Sequence, residues 1–354
     1  MANQESTIIV GIPAINDPDL TETVRHALGL RSRGHKLKLI VVEQTSRHGE
    51  DLASIVSEYK GCELAYRWTP EPLGAWPARQ LIATMAAVPS PAPPNLYYLS
   101  IDSHTRFVYG WDDTLITLHN AGLAAPVWLD EVMDNVVITG GMPTSLWGKD
   151  LDMIPVATYD YWDESGLPRG TSHLHSVIGS RHFVPARQYL ASSSFGPADL
   201  AGLYLLHNGL FFCGEEHVIG LEVWRKRWAM YHTHLPLTHL SLRPEDRPWQ
   251  TQGDEWWAKS DVAVGQVRRI MHGDMGSCDE RCRWRDDSYY EDSELAAAVR
   301  RRYACSVEYY QSLIGVDYRA RREVKDSPWH QRLADMYPNG PLTKPEDMHR
   351  GGRR

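Results

Sequence analysis

The most informative stretch of the sequence is residues 97–113, in which an apolar run leads directly into Asp102, Ser103 and His104. Side chains two positions apart at a strand end point to the same side, so Asp102 and His104 can bind one cation together. A carboxylate and an imidazole suit a borderline divalent ion such as manganese. A metal beside a diphosphate neutralises the charge that develops when the diphosphate leaves. A strand-end Asp that caps a turn beside a surface His is the competing interpretation.

The segments that precede this triplet alternate between strand and helix patterns. Apolar and β-branched runs predict strands at residues 6–14, 35–44, 62–70 and 95–102. Apolar residues at helical spacing predict helices at residues 17–31, 50–60 and 76–88. Such alternation is typical of a parallel, doubly wound α/β sheet. Ligands bind these sheets at the carboxyl ends of the strands, which is where the sequence places Asp102 and His104.

The rest of the chain carries weaker patterns. Residues 111–120 and 215–228 predict helices, residues 121–141 contain a strand, and residues 230–249 predict strand and loop. Residues 142–197 show no sustained period and predict loops and short strands that cover a site, with Ser192, Ser193 and Ser194 in a flexible loop. Residues 292–315 predict one long helix, or two, closed by Gly315.

Composition restricts the class of protein. The chain has 354 residues, 42% of them apolar and 23% charged, with a net charge of −8 and a pI of about 6.0. This balance argues against a generally basic nucleic-acid or membrane-surface binder. Five cysteines, an odd count in a large chain, favour a reducing compartment over a disulfide scaffold. Residues 1–13 lack the pattern of a secretory signal, and no apolar run has the length of a membrane helix. We expect a cytosolic protein, in the host cytoplasm if the source is viral.

Several segments, in order, resemble one family of enzymes. They are GIPAINDPDL, LIVVEQ, LGAWPARQ, DSHTRFVYGWDD, FFCGEEHVIGLEVW, THLSLR and YYQSLIGVDYRAR, which together span residues 8–321. The sequence resembles the glycosyltransferases that attach N-acetylglucosamine to hydroxyproline of Skp1 in protists, with bacterial and viral relatives. The Asp-x-His pattern is also similar to that of the mucin-type polypeptide transferases. Each match is short, but their common order makes the resemblance specific.

The resemblance implies a GT-A type fold and a retaining transferase that depends on a divalent metal, manganese before magnesium. Asp102 and His104 would be metal ligands, and Asp102 is also grouped with the catalytic residues. His239 would complete the metal site, because Arg243 follows it at the family's spacing. His232 and His234 are its nearby competitors.

The resemblance also implies the donor and acceptor sites. Arg79 would face the diphosphate of a UDP-sugar, and Glu215 and Glu216 would border the sugar and the acceptor. Adjacent acids before a helix are usually a feature of its first turn, where they face the helix dipole, and turn chemistry is an equal explanation for Asp17. The donor site would include Pro13, Ala14, Asp17, Gln44, Gly74, Arg79, Ser103, Trp111 and Arg243.

These observations lead to one domain plan and one preferred function. A GT-A catalytic domain would occupy residues 1–260, with a nucleotide-binding half at 1–112 and an acceptor and sugar half at 113–260. A helical extension would follow at 261–340 and a disordered tail at 341–354. The enzyme would move N-acetylglucosamine or a similar hexose to a hydroxyl group, foremost on a protein. Hydroxymethylated bases of phage DNA are the alternative acceptor. A nucleotidyltransferase and a non-catalytic nucleotide-sugar binding module are the alternatives of other classes.

Overall fold

The computed structural model describes residues 5–32, 34–124, 127–129, 131–140, 142–143, 153–157, 159, 161–163, 166–169, 172–176, 183–240, 252–272 and 307–338. Arg243 and the predicted tail at 341–354 lie outside these residues. So does most of the predicted long helix at 292–315, of which residues 307–314 are described and helical.

The described part of the chain contains eight α-helices and one 3-10 helix, Ala198–Leu205. The α-helices are α1 (Leu20–Gly29), α2 (Gly49–Ser57), α3 (Ala75–Ala86), α4 (Trp111–Leu123), α5 (Glu215–Arg225), α6 (Asp254–Met271), α7 (Val307–Ile314) and α8 (Pro328–Met336). The strands are β1 (Thr7–Ile15), β2 (Lys36–Gln44), β3 (Cys62–Thr69), β4 (Leu96–Ile101), β5 (Thr105–Phe107), β6 (Val127–Trp128), β7 (Glu131–Val132), β8 (Asn135–Thr139), β9 (Met142–Pro143), β10 (Met153–Ala157), β11 (Tyr161–Trp162), β12 (Pro168–Arg169), β13 (Ser172–Ser176), β14 (Val184–Pro185), β15 (Ser193–Pro197), β16 (Trp228–His232), β17 (Leu237–His239), β18 (Val316–Asp317) and β19 (Arg322–Glu323).

The central sheet has eight strands in the order β14-β16-β8-β15-β4-β1-β2-β3. Strands β1, β2, β3 and β4 pair in parallel, as the sequence predicts for this half. Strand β1 is buried along almost its whole length because helices cover both faces of a parallel sheet. The carboxyl ends of β1, β2 and β4 therefore meet at one edge, where the chemically interesting residues follow.

The other half of the sheet is mixed, which the sequence did not predict. Strand β15 lies between β4 and β8 and is antiparallel to both. The prediction of a flexible loop at Ser193 and Ser194 is therefore wrong, because both residues are buried in this central strand. The buried hydroxyl of Ser194 has hydrogen-bond partners: it lies 2.7 Å from the Thr139 hydroxyl and donates to the carbonyl of Leu190 at 2.7 Å.

A small three-stranded sheet, in the order β5-β17-β9, stands beside the carboxyl end of β4. Strand β17 is antiparallel to β5 and places His239 opposite Thr105. The backbone N–H of Leu240 continues this pairing by donating to the carbonyl of His104 at 2.9 Å. Backbone register thus brings a residue from the second half of the chain to the end of β4.

The C-terminal helices share the core of the central sheet. Val267 of α6, Tyr310 of α7 and Trp329 of α8 belong to the same buried apolar cluster as the strands. The predicted domain boundary at residue 260 falls inside α6. None of the helices in the described ranges has the length and apolar character that a bilayer crossing requires.

Candidate metal centre

Three side chains converge at the carboxyl edge of the sheet: Asp102, His104 and His239. Their ligand atoms all lie within 4.8 Å of one another. His239 Nε2 is 3.1 Å from Asp102 Oδ2 and 3.0 Å from His104 Nε2. Asp102 and His104 follow β4 directly, and His239 ends β17. The structure therefore brings together the three residues that the sequence nominated as ligands.

This donor set fits a divalent cation. Ligand atoms that each lie about 2.1 Å from one ion are roughly 3–3.5 Å apart, and the two measured contacts of His239 fall at that spacing. One carboxylate with two imidazoles suits a borderline ion such as manganese. The other two candidate histidines, His232 and His234, do not join the cluster that the described residues form. The His232 ring instead accepts the backbone N–H of Ala157 at 3.3 Å.

Helix α1 fixes the turn that carries the first two ligands. The Thr23 hydroxyl donates to the carbonyl of Ser103 at 2.6 Å and accepts the backbone N–H of Thr105 at 3.0 Å. Both contacts are buried, so they hold the backbone on either side of His104. Sequence analysis missed Thr23. The available signal was a polar residue on the buried face of an otherwise amphipathic helix.

Asp17 lies beneath the cluster, where it contacts His104. Its Oδ2 is 2.7 Å from His104 Nδ1 and accepts the Ser103 hydroxyl at 2.5 Å, and its Oδ1 accepts the backbone N–H of Asp19 at 2.9 Å. Only 3% of Asp17 is exposed. The predicted place of Asp17 in the donor site is therefore corrected, because Asp17 is buried and both of its oxygens already have partners within the protein.

Asp17 and His104 each favour the charged form of the other. Burial alone would raise the pKa of Asp17, but the hydrogen bonds from His104 and Ser103 lower it below its ordinary value. Burial would lower the pKa of His104, but its contact with Asp17 and the charge of Asp102 raise it. An ionised Asp17 accepts hydrogen bonds only, so the His104 ring donates from Nδ1.

Arg79 of α3 holds the other ligand. Its guanidinium donates to the Ser100 hydroxyl at 2.8 Å and to Asp102 Oδ1 at 2.7 Å, and its Nε lies 3.4 Å from Glu215 Oε2. Burial alone would raise the pKa of Asp102, but the hydrogen bond from His239 and the charge of Arg79 lower it well below its usual range. Arg79 is 1% exposed. Its contact with the diphosphate stays a prediction, since in this structure its two terminal nitrogens donate to Ser100 and Asp102.

The two glutamates at the start of α5 differ in their environments. Glu215 is buried against Arg79, whereas Glu216 is half-buried. Burial raises the pKa of Glu215 to about 8, although the charge of Arg79 opposes this shift. Gly214 begins the helix with φ at +83°, a conformation that favours glycine. The turn therefore delivers Glu215 to Arg79, and through Arg79 to Asp102.

Other predicted donor residues lie in β1, at the end of β2 and just before α3. Pro13 and Ala14 are buried within β1. The side-chain carbonyl of Gln44 accepts the backbone N–H groups of Leu73 and Gly74 at 2.6 and 3.0 Å, so it holds the loop that precedes α3. Gly74 has φ at +92°, and a Cβ there would lie 2.7 Å from the carbonyl oxygen of Phe211, so only glycine fits.

Trp111 lies in the core and not at the site. It is fully buried, its ring packs 4.7 Å from that of Phe107, and its indole N–H donates to the carbonyl of Ala27 at 2.9 Å. The predicted place of Trp111 in the donor site is corrected, because the side chain is fully buried and its one polar group donates to the backbone of α1. A Trp in an aromatic segment carries no sequence signal that separates these roles.

Comparison with known proteins supports the fold. No family model matches the sequence, and no curated protein matches it. The structure is similar to the crystal structure of GalNAc-T7 with UDP, GalNAc and Mn2+, with a TM-score of 0.51 and 13% identity over 88% of this chain and 56% of that one. The chain thus spans about half the length of that protein. A mannosyltransferase from Pyrobaculum calidifontis, PcManGT, with GDP-Man and Mn2+, gives a TM-score of 0.43 and 10% identity over 98% and 79% of the two chains.

Likeness at this identity concerns the fold alone. The mixed α/β architecture around a large sheet is that of the GT-A glycosyltransferases, and the predicted fold class is confirmed. The narrower resemblance to the Skp1-modifying transferases stays a prediction.

Proposed function

We propose that this protein is a metal-dependent glycosyltransferase that uses a nucleotide sugar as donor. One observation carries the proposal: Asp102, His104 and His239 converge at the carboxyl edge of the parallel half of the central sheet. This edge is where sheets of this kind bind their ligands. A carboxylate and two imidazoles there suit a manganese-type ion, with magnesium as the alternative.

The residues around the cluster would have separate roles in holding the metal and in positioning the substrates. A bound divalent ion would supply the positive charge that stabilises a leaving diphosphate. Arg79 would keep Asp102 in place, since its guanidinium donates to Asp102 Oδ1 at 2.7 Å. Glu216, half-buried at the start of α5, would position the sugar or the incoming hydroxyl. Ser103 would border the donor through its backbone, because its hydroxyl is bonded to Asp17.

The first donor to test is UDP-linked N-acetylglucosamine or a similar hexose. The similar structure of GalNAc-T7 contains UDP and GalNAc, and the sequence motifs resemble a family that transfers N-acetylglucosamine. The acceptor we favour is a hydroxyl group on a protein, as in that family. Transfer would retain the configuration at the anomeric carbon, which NMR of the product's anomeric proton measures directly.

A donor screen tests this function. Purified protein is incubated with Mn2+ and a panel of UDP-, GDP- and TDP-sugars, and release of the nucleotide is measured. We expect slow release from one donor, and loss of that release in Asp102→Ala and in His104→Ala. His234→Ala is the matched control, because this histidine is close in sequence to His239 but outside the cluster that the described residues form.

Two outcomes would contradict the proposal. Equal release by the wild type and by both ligand variants would mean that the cluster is not the reaction site. Absence of release, together with absence of heat on calorimetric titration with UDP and Mn2+, would leave no donor site. Binding of UDP and Mn2+ without release from any donor, even with candidate acceptor peptides, would favour a non-catalytic binding module.

A further inference from the structure

We propose that Asp17 is a positioning residue of the metal centre, which orients His104 so that Nε2 faces the cation. This inference rests on the metal-dependent function proposed above and adds a residue that this function does not require. Sequence analysis placed Asp17 in the donor site. Its contacts assign it to the opposite side of His104 from the other two ligands.

Both oxygens of the Asp17 carboxylate have hydrogen-bond partners within the protein. Oδ1 accepts the backbone N–H of Asp19, and Oδ2 lies within 2.7 Å of both the Ser103 hydroxyl and His104 Nδ1. Asp17 is 3% exposed, so neither oxygen reaches solvent or a base. The carboxylate therefore acts on its neighbours and not on the donor.

The contact with His104 determines which ring nitrogen carries the proton. An ionised carboxylate can only accept, so the hydrogen between Asp17 and His104 belongs to Nδ1. In the neutral ring the lone pair then lies on Nε2, which is 3.0 Å from His239 Nε2 and faces the cluster. A metal-binding imidazole needs this arrangement, and a carboxylate on its other nitrogen makes it a better ligand.

Backbone contacts hold Asp17 in this position. It follows β1 directly after Asn16, whose φ of +44° turns the chain and whose N–H donates to the carbonyl of Gln44 at 3.2 Å. On the other side, the N–H of Leu20 donates to the carbonyl of Asp17 at 3.4 Å as α1 begins. Thr23 of the same helix fixes the turn around His104. Helix α1 therefore holds both Asp17 and the turn that carries His104.

Asp17 also resembles an ordinary turn residue, since Oδ1 accepts the N–H two positions ahead. The two roles predict different results. A turn residue contributes to the free energy of unfolding but leaves the affinity of the remaining folded protein for a metal unchanged. A positioning residue changes that affinity, and a side chain that keeps the hydrogen bond restores part of it.

The test measures the Kd for Mn2+ without any donor, by calorimetry, on Asp17→Ala and Asp17→Asn. We expect Asp17→Ala to weaken binding about 10- to 100-fold, the usual cost of losing a residue that orients a metal ligand. Asp17→Asn should lose less, because the amide oxygen can still accept the proton of His104 Nδ1. Asp113→Asn is the matched control: Asp113 Oδ1 also contacts a histidine, His35 Nε2 at 2.8 Å, but away from the cluster. It should bind Mn2+ like the wild type.

A second measurement needs no variant that could fail to fold. Long-range 15N–1H NMR of the metal-free wild type, assigned with His104→Gln, should show the proton of the neutral His104 ring on Nδ1. A proton on Nε2, or a Kd of Asp17→Ala equal to that of the wild type, would overturn the role of Asp17. If the wild type still binds Mn2+ and releases nucleotide in that case, the proposed function stands. A wild type that releases no nucleotide and binds Mn2+ neither alone nor together with UDP overturns both.

Discussion

The two arms of the candidate metal centre are built in different ways. Asp102 and His104 come from the end of β4, and buried side chains stand behind them: Arg79 behind Asp102, and Asp17 behind His104. His239 comes from β17, and its position follows from backbone pairing with β5. The His239 side chain is 32% exposed, whereas that of His104 is 6% exposed.

Because of this difference, changes in the two arms should affect metal affinity and the free energy of unfolding differently. In the buried arm, each ligand is also the partner of a buried charge, so its loss leaves that charge unpaired. In the exposed arm, loss of His239 leaves behind Asp102, whose side chain is 28% exposed and keeps its hydrogen bond from Arg79. The arms should therefore contribute together to metal binding but unequally to the free energy of unfolding.

The largest effect is expected for Asp102→Ala. The variant removes a candidate ligand and leaves the Arg79 guanidinium, which is 1% exposed, without the carboxylate to which it donates at 2.7 Å. We expect Mn2+-dependent nucleotide release to fall by more than about 100-fold, and the free energy of unfolding to fall by about 3 kcal/mol. Kinetics and urea unfolding measure the two. A fully active or equally stable variant would contradict the buried-arm description.

Arg79→Met should come next. A methionine fills most of the space but donates to none of Ser100, Asp102 or Glu215. We expect weaker Mn2+ binding, about 10-fold or more, together with a loss of stability of roughly 2–3 kcal/mol. Arg225→Lys is the control, because Arg225 pairs with Glu222 on α5 and contacts no ligand of the cluster. If Arg79→Met changes KM for the donor without changing the Kd for Mn2+, Arg79 binds the donor itself.

The sharpest comparison is His239→Ala against His104→Ala. Both should abolish tight Mn2+ binding, which calorimetry measures. His104→Ala should also destabilise the metal-free protein by about 1–3 kcal/mol, because Asp17 loses a buried hydrogen bond. His239→Ala should change the free energy of unfolding by less than about 1 kcal/mol, because the ring is partly exposed. Equal destabilisation by the two would remove the distinction between the arms.

The smallest effect concerns Glu215 and pH. Burial raises the pKa of Glu215 to about 8, from 4.5 in an unfolded chain. The contribution of protonated Glu215 to the free energy of unfolding is therefore fully present below about pH 4.5 and is lost as the pH rises through about 8. Without metal, we expect the Tm of Glu215→Gln to exceed that of the wild type at about pH 9. At about pH 5 the two Tm values should be equal. Glu255→Gln, on the exposed face of α6, is the control. A lower Tm of Glu215→Gln at pH 9 would mean that Arg79 keeps Glu215 charged.

The first half of the fold could be predicted because its signals are local. Strands β1 to β4 and helices α1 to α3 appear in the sequence as apolar runs and helical periods, and each forms where predicted. Strand β15 could not be predicted in this way. Its sequence, SSFGP, has little of the β-branched character of a central strand, and burial between β4 and β8 overrides that weak propensity.

The sequence by itself predicted Asp102 and His104 as a pair of candidate ligands, because side chains two positions apart at a strand end point to the same side. Resemblance added His239, but only tertiary structure decided that it reaches them, across 135 positions, through the pairing of β17 with β5. Tertiary structure also decided that Asp17 contacts His104 and that Arg79 contacts Asp102. It likewise decided that Trp111 lies in the core. Periodicity reports which face of an element is buried; the identity of the partner depends on contacts between distant segments, which no local pattern records.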